Sequence, residues 1–285
     1  MKYLFLLLVS QITFSQIQGK VVDASGIPVP YVNIWVENEN IGGTSELDGT
    51  FKIQSTLDKT LVFSAVGFET LKSKIKENAN VVLKTVTYQL DEVVISKPKK
   101  TIEVEIGEAK KSHHSQLSGG EPWIYARYFN KKSEYSKTPF IKEVIVFSNS
   151  NVKNSKFKLR IFTVGKDGFP DADLLNEDIV VIAKSGFRMN TIDISKFNLS
   201  MPDEGIFIAY EWMIIEENKY LFEYKEDFKM HSFTTYSPSL VLNNFVEANS
   251  YKYRNGKWYK DQSYFDKDSQ KNVFTTPAIN LTLTN

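Results

Sequence analysis

Four aromatic side chains near the end of the chain have the types and spacing of a carbohydrate-binding platform. They are Tyr251, Tyr253, Trp258 and Tyr259, and Lys, Arg and Asp residues surround them. Tyr251 and Tyr253 lie on the same side of an extended strand, because side chains alternate along a strand. Residues 254–257 (Arg-Asn-Gly-Lys) predict a turn, which places Trp258 opposite them on the returning strand. Because aromatics in small β-domains mostly belong to the core, we expect these rings to cover the edge of a β-sandwich; a platform on which sugar rings stack is the alternative.

Three carboxylates form a second candidate site. Asp167, Asp171 and Asp173 are close in sequence, and hard cations such as Ca²⁺ prefer several oxygen ligands. Their spacing differs from that of the calcium-loop motif. Asp-Gly and Pro-Asp pairs are also ordinary turn residues. A Ca²⁺ site here is therefore one alternative and a plain turn is the other, and we expect no other cofactor.

Hydrolysis is the third chemistry that the residue types allow. Glycosidases use a pair of carboxylates, and Glu211 with Glu216 or Glu217 is a candidate for such a pair. The chain has no Gly-x-Ser-x-Gly nucleophile motif, and its three His residues have no recognisable triad context. We therefore predict that the protein is not an enzyme, and we keep an unrecognised hydrolase as a second alternative.

Composition excludes several other function classes. The chain has 285 residues, a net charge of +1 and no basic stripe, so nucleic acid is not an expected partner. It has no Cys, which excludes disulfides and thiol chemistry. Phe, Tyr, Val, Ile and Thr are abundant, and no segment keeps a helical period, which favours strands. The length suggests about two domains.

The first residues have the features of an export signal. Met1 and Lys2 precede an apolar run at residues 3–9, and small polar residues follow as far as Gln16. This order is typical of a secretory signal peptide, which we predict over residues 1–16. The run is too short for a membrane-spanning helix, which needs about 20 apolar residues. We expect a secreted protein in the periplasm or at the outer membrane, without a transmembrane span in the mature chain.

Residues 17–96 have the pattern of a small β-sandwich. Val32, Ile34 and Val36 alternate with polar or larger neighbours, which is the period of a half-buried strand. Turn residues separate about seven short strands. The pair Asp48-Gly49 predicts a tight hairpin.

The same segments resemble the carboxypeptidase-regulatory-like domain, a small transthyretin/Ig-like β-sandwich of bacterial cell-envelope proteins. The matching segments are residues 17–23, 26–34, 43–51, 63–70 and 90–95. The resemblance implies a structural module without zinc ligands. It also implies that the protein resides in the cell envelope.

Residues 90–95 (Leu-Asp-Glu-Val-Val-Ile) carry a further implication of this resemblance. In TonB-dependent outer-membrane receptors, this type of domain often runs into a similar segment. That segment lies near the piece that pairs with the energy-transducing protein. The resemblance implies pairing with an envelope protein by strand addition. The alternative is that these residues are only the last strand of the sandwich.

Polar residues 97–119 predict a linker, since Pro98 interrupts any strand and a Lys cluster surrounds it. Strand patterns then resume, with the most apolar strand at residues 206–213, which we predict to be central. Residues 120–285 are predicted to form a jelly-roll-like β-sandwich. They loosely resemble C-terminal jelly-roll modules of unassigned function, through residues 157–164, 167–170, 173–175 and 205–212.

The sequence thus predicts an all-β protein, in which a transthyretin/Ig-like β-sandwich precedes a jelly-roll-like one. We expect a non-catalytic envelope protein that acts as a binding or assembly module. The alternative is a carbohydrate-binding protein that captures polysaccharide. Its expected partner is accordingly an envelope protein or a polysaccharide.

Overall fold

The computed structural model describes residues 16–55, 58–74, 79–86 and 101–285. In these ranges the regular secondary structure is β-strand apart from three short 3-10 helices, which confirms the predicted all-β class. Almost all of the predicted signal peptide lies outside the described residues, and so do residues 90–95 and the Lys cluster at 97–100. No helix in the described ranges is long and apolar enough to cross a membrane.

The described part of residues 16–86, which we call the N-terminal sandwich, contains seven strands in two sheets. The strands are β1 (Gln16–Asp23), β2 (Asn33–Val36), β3 (Gly42–Thr44), β4 (Thr50–Gln54), β5 (Thr60–Ser64), β6 (Leu71–Lys74) and β7 (Ala79–Leu83). One sheet has the order β4-β1-β7, and the other has the order β3-β2-β5-β6. Both sheets contribute to one apolar core, which includes Ile17, Val21, Ile34, Phe51 and Phe63. The predicted β-sandwich is therefore confirmed.

Local sequence explains how these sheets meet. In β4, Phe51 and Ile53 face the core while their neighbours are exposed, as strand alternation requires. Gly19 in β1 allows β7 to approach closely, because a Cβ atom there would lie 2.5 Å from the carbonyl oxygen of Ala79. The close packing of β1 and β7 therefore depends on glycine at position 19, and the core depends on the apolar side chains as well.

The predicted hairpin at Asp48-Gly49 is wrong in one respect. The turn is present, since Gly49 has a positive φ of 80° and Asp48 Oδ1 accepts a hydrogen bond from the Thr50 amide. However, β3 and β4 on either side of it belong to different sheets. The turn carries the chain across the core, because β4 pairs with β1 rather than with β3.

Residues 101–285 form the C-terminal sandwich. Its strands are β8 (Glu103–Ile106), β9 (Ser115–Gln116), β10 (Ile124–Phe129), β11 (Phe140–Ser150), β12 (Lys156–Val164), β13 (Pro170–Asp173), β14 (Ile179–Ile182), β15 (Gly186–Asp193), β16 (Ile206–Trp212), β17 (Lys219–Glu226), β18 (Lys229–Tyr236), β19 (Ser239–Phe245), β20 (Ser250–Arg254), β21 (Lys257–Lys260), β22 (Tyr264–Asp266), β23 (Lys271–Pro277) and β24 (Ile279–Thr284). The 3-10 helices span Ser133–Lys137, Ser195–Phe197 and Glu216–Asn218.

Two large sheets enclose the core of the C-terminal sandwich. One has the order β13-β12-β16-β10-β20-β21, with β14 also paired to β12. The other has the order β22-β23-β19-β11-β24-β8, with β15 paired to β11 and β9 paired to β19. Residues of both sheets meet in one apolar cluster, including Tyr125, Val146, Leu159, Ile208 and Leu281. Strand β16 is buried along its whole length, so the prediction of a central strand at residues 206–213 is confirmed.

The stretch predicted as a linker is described from residue 101 onwards, and there it is part of the second sandwich. Strand β8 pairs with β24 at the far end of the chain, and β9 pairs with β19. The Ala109 amide donates to Asn280 Oδ1 over 2.7 Å. Polar composition suggested a solvated linker, but an edge strand also exposes polar side chains. The two cores remain separate, which supports our proposal of two domains, with the second one beginning before residue 120.

Candidate functional site

The four aromatics predicted as a sugar platform lie on the β20–β21 hairpin. Its turn has positive φ at Asn255 and Gly256, and Tyr253 is opposite Trp258 in the register. Tyr251 is only 7% exposed, and its ring contacts that of Phe207 edge to face, with centroids 4.9 Å apart. The rings of Tyr253 and Trp258 meet at 60°, so they do not form a flat surface.

The hairpin also packs against the N-terminal sandwich. Tyr253 makes an edge-to-face contact with Trp35 of β2, with ring centroids 6.0 Å apart. Tyr259 is on the other side of β21 and is 49% exposed. Of the four predicted residues, Tyr259 is thus the one with the most accessible ring.

The three predicted cation ligands have separate roles in the structure. Asp167 Oδ1 accepts a hydrogen bond from the Phe169 amide in the β12–β13 turn. Asp173 accepts from Arg160 through both carboxylate oxygens. Asp171 is exposed and adjacent to this turn. The described residues contain no group of three or more His, Cys, Asp or Glu side chains arranged to hold a metal ion.

Arg160 belongs to a buried ionic network that sequence reasoning missed. It lies in β12, is 8% exposed, and also donates through Nη1 to Glu211 Oε2 in β16, which is 1% exposed. Burial alone would lower the pKa of Arg160, but the charges of Glu211 and Asp173 outweigh burial and raise that pKa above its ordinary value. Asn33 of the N-terminal sandwich completes the network, because its Nδ2 donates to Glu211 Oε1 over 2.6 Å.

Two lysines of β12 reach the same neighbouring domain. Lys158 is fully buried, and its Nζ donates to the Tyr31 carbonyl oxygen over 2.7 Å and to Asp178 Oδ2 over 2.9 Å. Lys156 forms an ion pair with Glu217 and lies over the ring of Tyr31. Because Tyr31 precedes β2, these cations help to join the two sandwiches.

Apolar and backbone contacts complete the interface between the sandwiches. Tyr31 packs with Met213 and Ile215 in one buried cluster. The Ile214 amide donates to Thr44 Oγ1 over 3.0 Å, and the Thr44 amide donates to the Ile214 carbonyl oxygen over 3.3 Å. The two sandwiches are therefore packed through a buried, hydrogen-bonded contact and are not merely tethered.

A cleft of about 580 Å³ opens beside this interface. Glu46 lines it and accepts a hydrogen bond from the Glu216 amide over 2.9 Å. Burial raises the pKa of Glu46, and the nearby charges of Glu216 and Glu217 add to this effect, although the amide hydrogen bond opposes it. The carboxylates considered for hydrolysis have other partners, since Glu211 is held by Arg160, Glu216 by Lys219 and Glu217 by Lys156.

Strands β17 and β18 form a two-stranded hairpin, residues 219–236, that we call the arm. Sequence reasoning did not predict it, although Tyr220, Phe222 and Tyr224 recur with the period of two of a strand. Among the described residues, each strand of the arm pairs only with the other. Its tip carries Phe228, which is 95% exposed, and Met230 nearby is 67% exposed.

One face of the arm is an aromatic row. The register places Phe222 opposite Phe233 and Tyr224 opposite His231. The rings of Tyr224 and His231 are 5.4 Å apart at 26°, and those of Phe222 and Tyr224 are 6.3 Å apart at 27°. These two pairs are stacked, whereas the Phe233 ring is tilted by 49° from that of Phe222 and by 69° from that of Tyr224. The row is therefore a packed aromatic cluster, at least partly accessible to solvent, and not one flat surface.

Comparison with known proteins assigns the first part of the chain. Residues 17–95 match the family model of the CarboxypepD_reg-like domain, so this segment is a domain of that family. The chain is also 32% identical over 79 residues to the TonB-dependent receptor SusC of Bacteroides thetaiotaomicron. It is 31% identical over 84 residues to the TonB-dependent receptor P39 of Formosa agariphila. Each match covers 28% of this chain and 8% of the receptor, so the chain spans only a small part of these relatives.

Proposed function

We propose that the chain is an exported, non-catalytic protein of the cell envelope that acts as a binding or assembly module. The arm is the observation that carries this proposal. Water-soluble proteins rarely leave contiguous apolar patches exposed, and such patches mark interaction sites. The arm exposes Tyr224 and Phe233 on one face, Leu221 and Met230 on the opposite face, and Phe228 at its tip.

The proposed location rests on the N-terminal part of the chain. Its CarboxypepD_reg-like domain and its similarity to two TonB-dependent receptors support a place in the envelope. The signal peptide predicted at residues 1–16 supports export to the periplasm or outer membrane.

The proposed partner is an envelope protein that pairs a β-strand with an edge of the arm. Both outer edges of the arm carry backbone groups without a strand partner among the described residues. An unpaired edge accepts a further strand, while the aromatic row supplies apolar area for side chains of that strand. The interface around Glu211 fixes the arm relative to the N-terminal domain, so binding at one sandwich positions the other.

A variant of the arm tests this function. We expect Tyr224→Ser/Phe228→Ser to keep the wild-type melting temperature, because both side chains are exposed. We expect it to lose the high-molecular-weight species that the tagged wild-type chain forms on chemical cross-linking in its own cells. The matched control is Tyr259→Ser/Phe265→Ser, which removes two similarly exposed rings from other hairpins.

Two results would count against the proposal. One is an unchanged cross-linked species in the arm variant, because the arm would then not contact the partner. The other is a wild-type chain that stays in the cytoplasm with residues 1–16 still attached, because the protein would then not be exported.

The exposed rings of the arm favour carbohydrate binding as a second candidate function. Sugars stack on accessible aromatic rings, and Tyr224 and Phe233 of the aromatic row are each 38% exposed. Affinity electrophoresis against a panel of polysaccharides tests it. Retardation that is lost in Tyr224→Ala but kept in Tyr259→Ala would place a glycan on the arm. Loss only in Tyr259→Ala would place it on the hairpin that the sequence predicted.

A further inference from the structure

A buried arginine in β10 has no ionic partner among the described residues. Arg127 in β10 is only 4% exposed, and no carboxylate forms an ion pair with it in the described part of the chain. Its Nη1 donates to the Ile279 carbonyl oxygen over 2.7 Å, and its Nη2 donates to that of Gly107 over 2.5 Å. Its Nε is buried and has no hydrogen-bond partner. Since a guanidinium has five N–H donors, most of its bonding capacity is unused.

Arg127 therefore contrasts with Arg160, which is neutralised by two carboxylates. Burying a charge without a counter-ion is unfavourable. Burial lowers the pKa of Arg127 to about 10, although Glu108 and Glu247 are near enough to favour the charged form slightly. The geometry leaves a place for an anion that the chain itself does not fill.

The guanidinium lies at a cleft of about 320 Å³ at one end of the C-terminal sandwich. The rings of Phe129 and Phe245 flank it, with centroids 5.0 Å and 4.6 Å from its central carbon. Its bond to Ile279 is buried, whereas its bond to Gly107 is only partly buried, so the Nη2 edge is the one nearer to solvent.

Asn249, which lines the same cleft, carries a second unsatisfied polar atom. Its Oδ1 is buried and accepts no hydrogen bond among the described residues. Two residues of the cleft thus hold an unused donor and an unused acceptor, and a ligand reaches these buried atoms when the groups that cover them move. Lys132, Glu108 and Glu247 also line the cleft, so the four charged residues sum to zero with Arg127 included. With no net charge at the cleft, neither a monoanion nor a dianion gains much net attraction, so selectivity for a carboxylate rests on its hydrogen bonds to the Arg127 guanidinium.

We infer that this cleft binds a small monocarboxylate that carries hydroxyl groups of its own. The carboxylate would accept hydrogen bonds from the Arg127 guanidinium. A planar guanidinium matches the geometry of a carboxylate better than the compact ammonium group of a lysine does. A ligand hydroxyl would donate to Asn249 Oδ1. The phenyl rings of Phe129 and Phe245 would limit the site to a ligand of about monosaccharide size. This inference does not depend on the arm or on the proposed function.

Titration calorimetry of the full chain with D-glucuronate tests the site, with D-glucose, acetate and inorganic phosphate as comparison probes. We expect glucuronate to bind at least about tenfold more tightly than glucose, which lacks the carboxylate, because a hydrogen bond to a charged group has about this effect. We expect it to bind more tightly than acetate, which lacks the hydroxyls, and more tightly than phosphate.

Variants identify the residues. Arg127→Lys should weaken glucuronate binding by about tenfold or more, and Asn249→Ala should weaken it several-fold. If Arg127→Lys does not fold, the glucuronate affinities of Lys132→Gln and Asn249→Ala test the inference instead. The exposed Lys137→Gln is the matched control for these affinities. Equal binding of glucose or phosphate, no binding of glucuronate, or unchanged affinity in Asn249→Ala and Lys132→Gln would overturn the inference.

Discussion

The buried carboxylate of Glu211 provides the sharpest test of how the two sandwiches are joined. Glu211→Gln keeps the shape of the side chain but removes its charge. The glutamine oxygen can still accept the hydrogen bond from Asn33. The NH2 group of the glutamine then faces Nη1 of Arg160, so that two donors meet where the carboxylate oxygen accepted before. Arg160 keeps Asp173 but loses its second counter-ion.

The expected magnitude follows from the burial of the pair. Breaking a buried ion pair by removing one partner costs about 3–5 kcal/mol. Because Asp173 still neutralises Arg160, we expect the lower end, about 3 kcal/mol of unfolding free energy. In a chain of this size, 1 kcal/mol shifts the melting temperature by about 2–4 °C, so Glu211→Gln should melt about 6–12 °C below the wild type.

Calorimetry and urea unfolding followed by tryptophan fluorescence measure this difference. Asp203→Asn is the matched control, since it removes one partner of the exposed pair of Lys131 and Asp203. Exposed pairs contribute about 0–1 kcal/mol, so the control should melt close to the wild type. A Glu211→Gln variant that is as stable as Asp203→Asn would refute a buried network at this position.

A double-mutant cycle tests the link across the interface. We expect Asn33→Ala and Glu211→Ala to be non-additive by about 1 kcal/mol, because each variant alone already removes the hydrogen bond that joins the two side chains. Additive effects would mean that Asn33 does not bind Glu211 in solution.

Two further perturbations have a predicted sign. Because the pKa of Glu46 is raised in the folded protein, the folded state binds more protons than the unfolded state between the ordinary pKa of 4.5 and the raised value. Stability should therefore fall as pH rises through that window. Glu46→Gln should melt above the wild type at pH 7 and at the same temperature as the wild type near pH 4. If its melting temperature rises at both pH values, or if the exposed Glu69→Gln shows the same rise, the raised pKa of Glu46 is not the cause. Gly19→Ala should destabilise the N-terminal sandwich by about 2 kcal/mol or more, since the new methyl group would overlap the Ala79 carbonyl oxygen. Thermal melting should show a much smaller loss for Gly168→Ala, which meets no neighbour and is strained only by its positive φ.

Patterns of period two predicted much of the fold. The alternation at Val32, Ile34 and Val36 and the apolar run at 206–213 correspond to buried strands. Turn chemistry at Asn255 and Gly256 gave the correct hairpin and the correct pairing of Tyr253 with Trp258. These features depend on residues that are near one another in the chain, which is why sequence alone reveals them.

The features that sequence reasoning missed depend on distant pairing. Asn33 and Glu211 are 178 residues apart, and Arg160 looks like an ordinary polar position in an alternating strand. The predicted linker contains β8 because its partner β24 is at the other end of the chain. Alternation also cannot tell which face of the β20–β21 hairpin is covered, and there the neighbouring domain covers Tyr253 through Trp35.

The proposed contact between the arm and a partner in the cell envelope can be tested by site-specific photo-cross-linking. A photoreactive phenylalanine analogue replaces Tyr224 and, as a control, Phe265. Both side chains are exposed, but only Tyr224 belongs to the aromatic row. We predict a discrete cross-linked partner from position 224 in intact cells and none from position 265. Equal products from both positions, or none from position 224, would mean that the arm does not bind a specific partner.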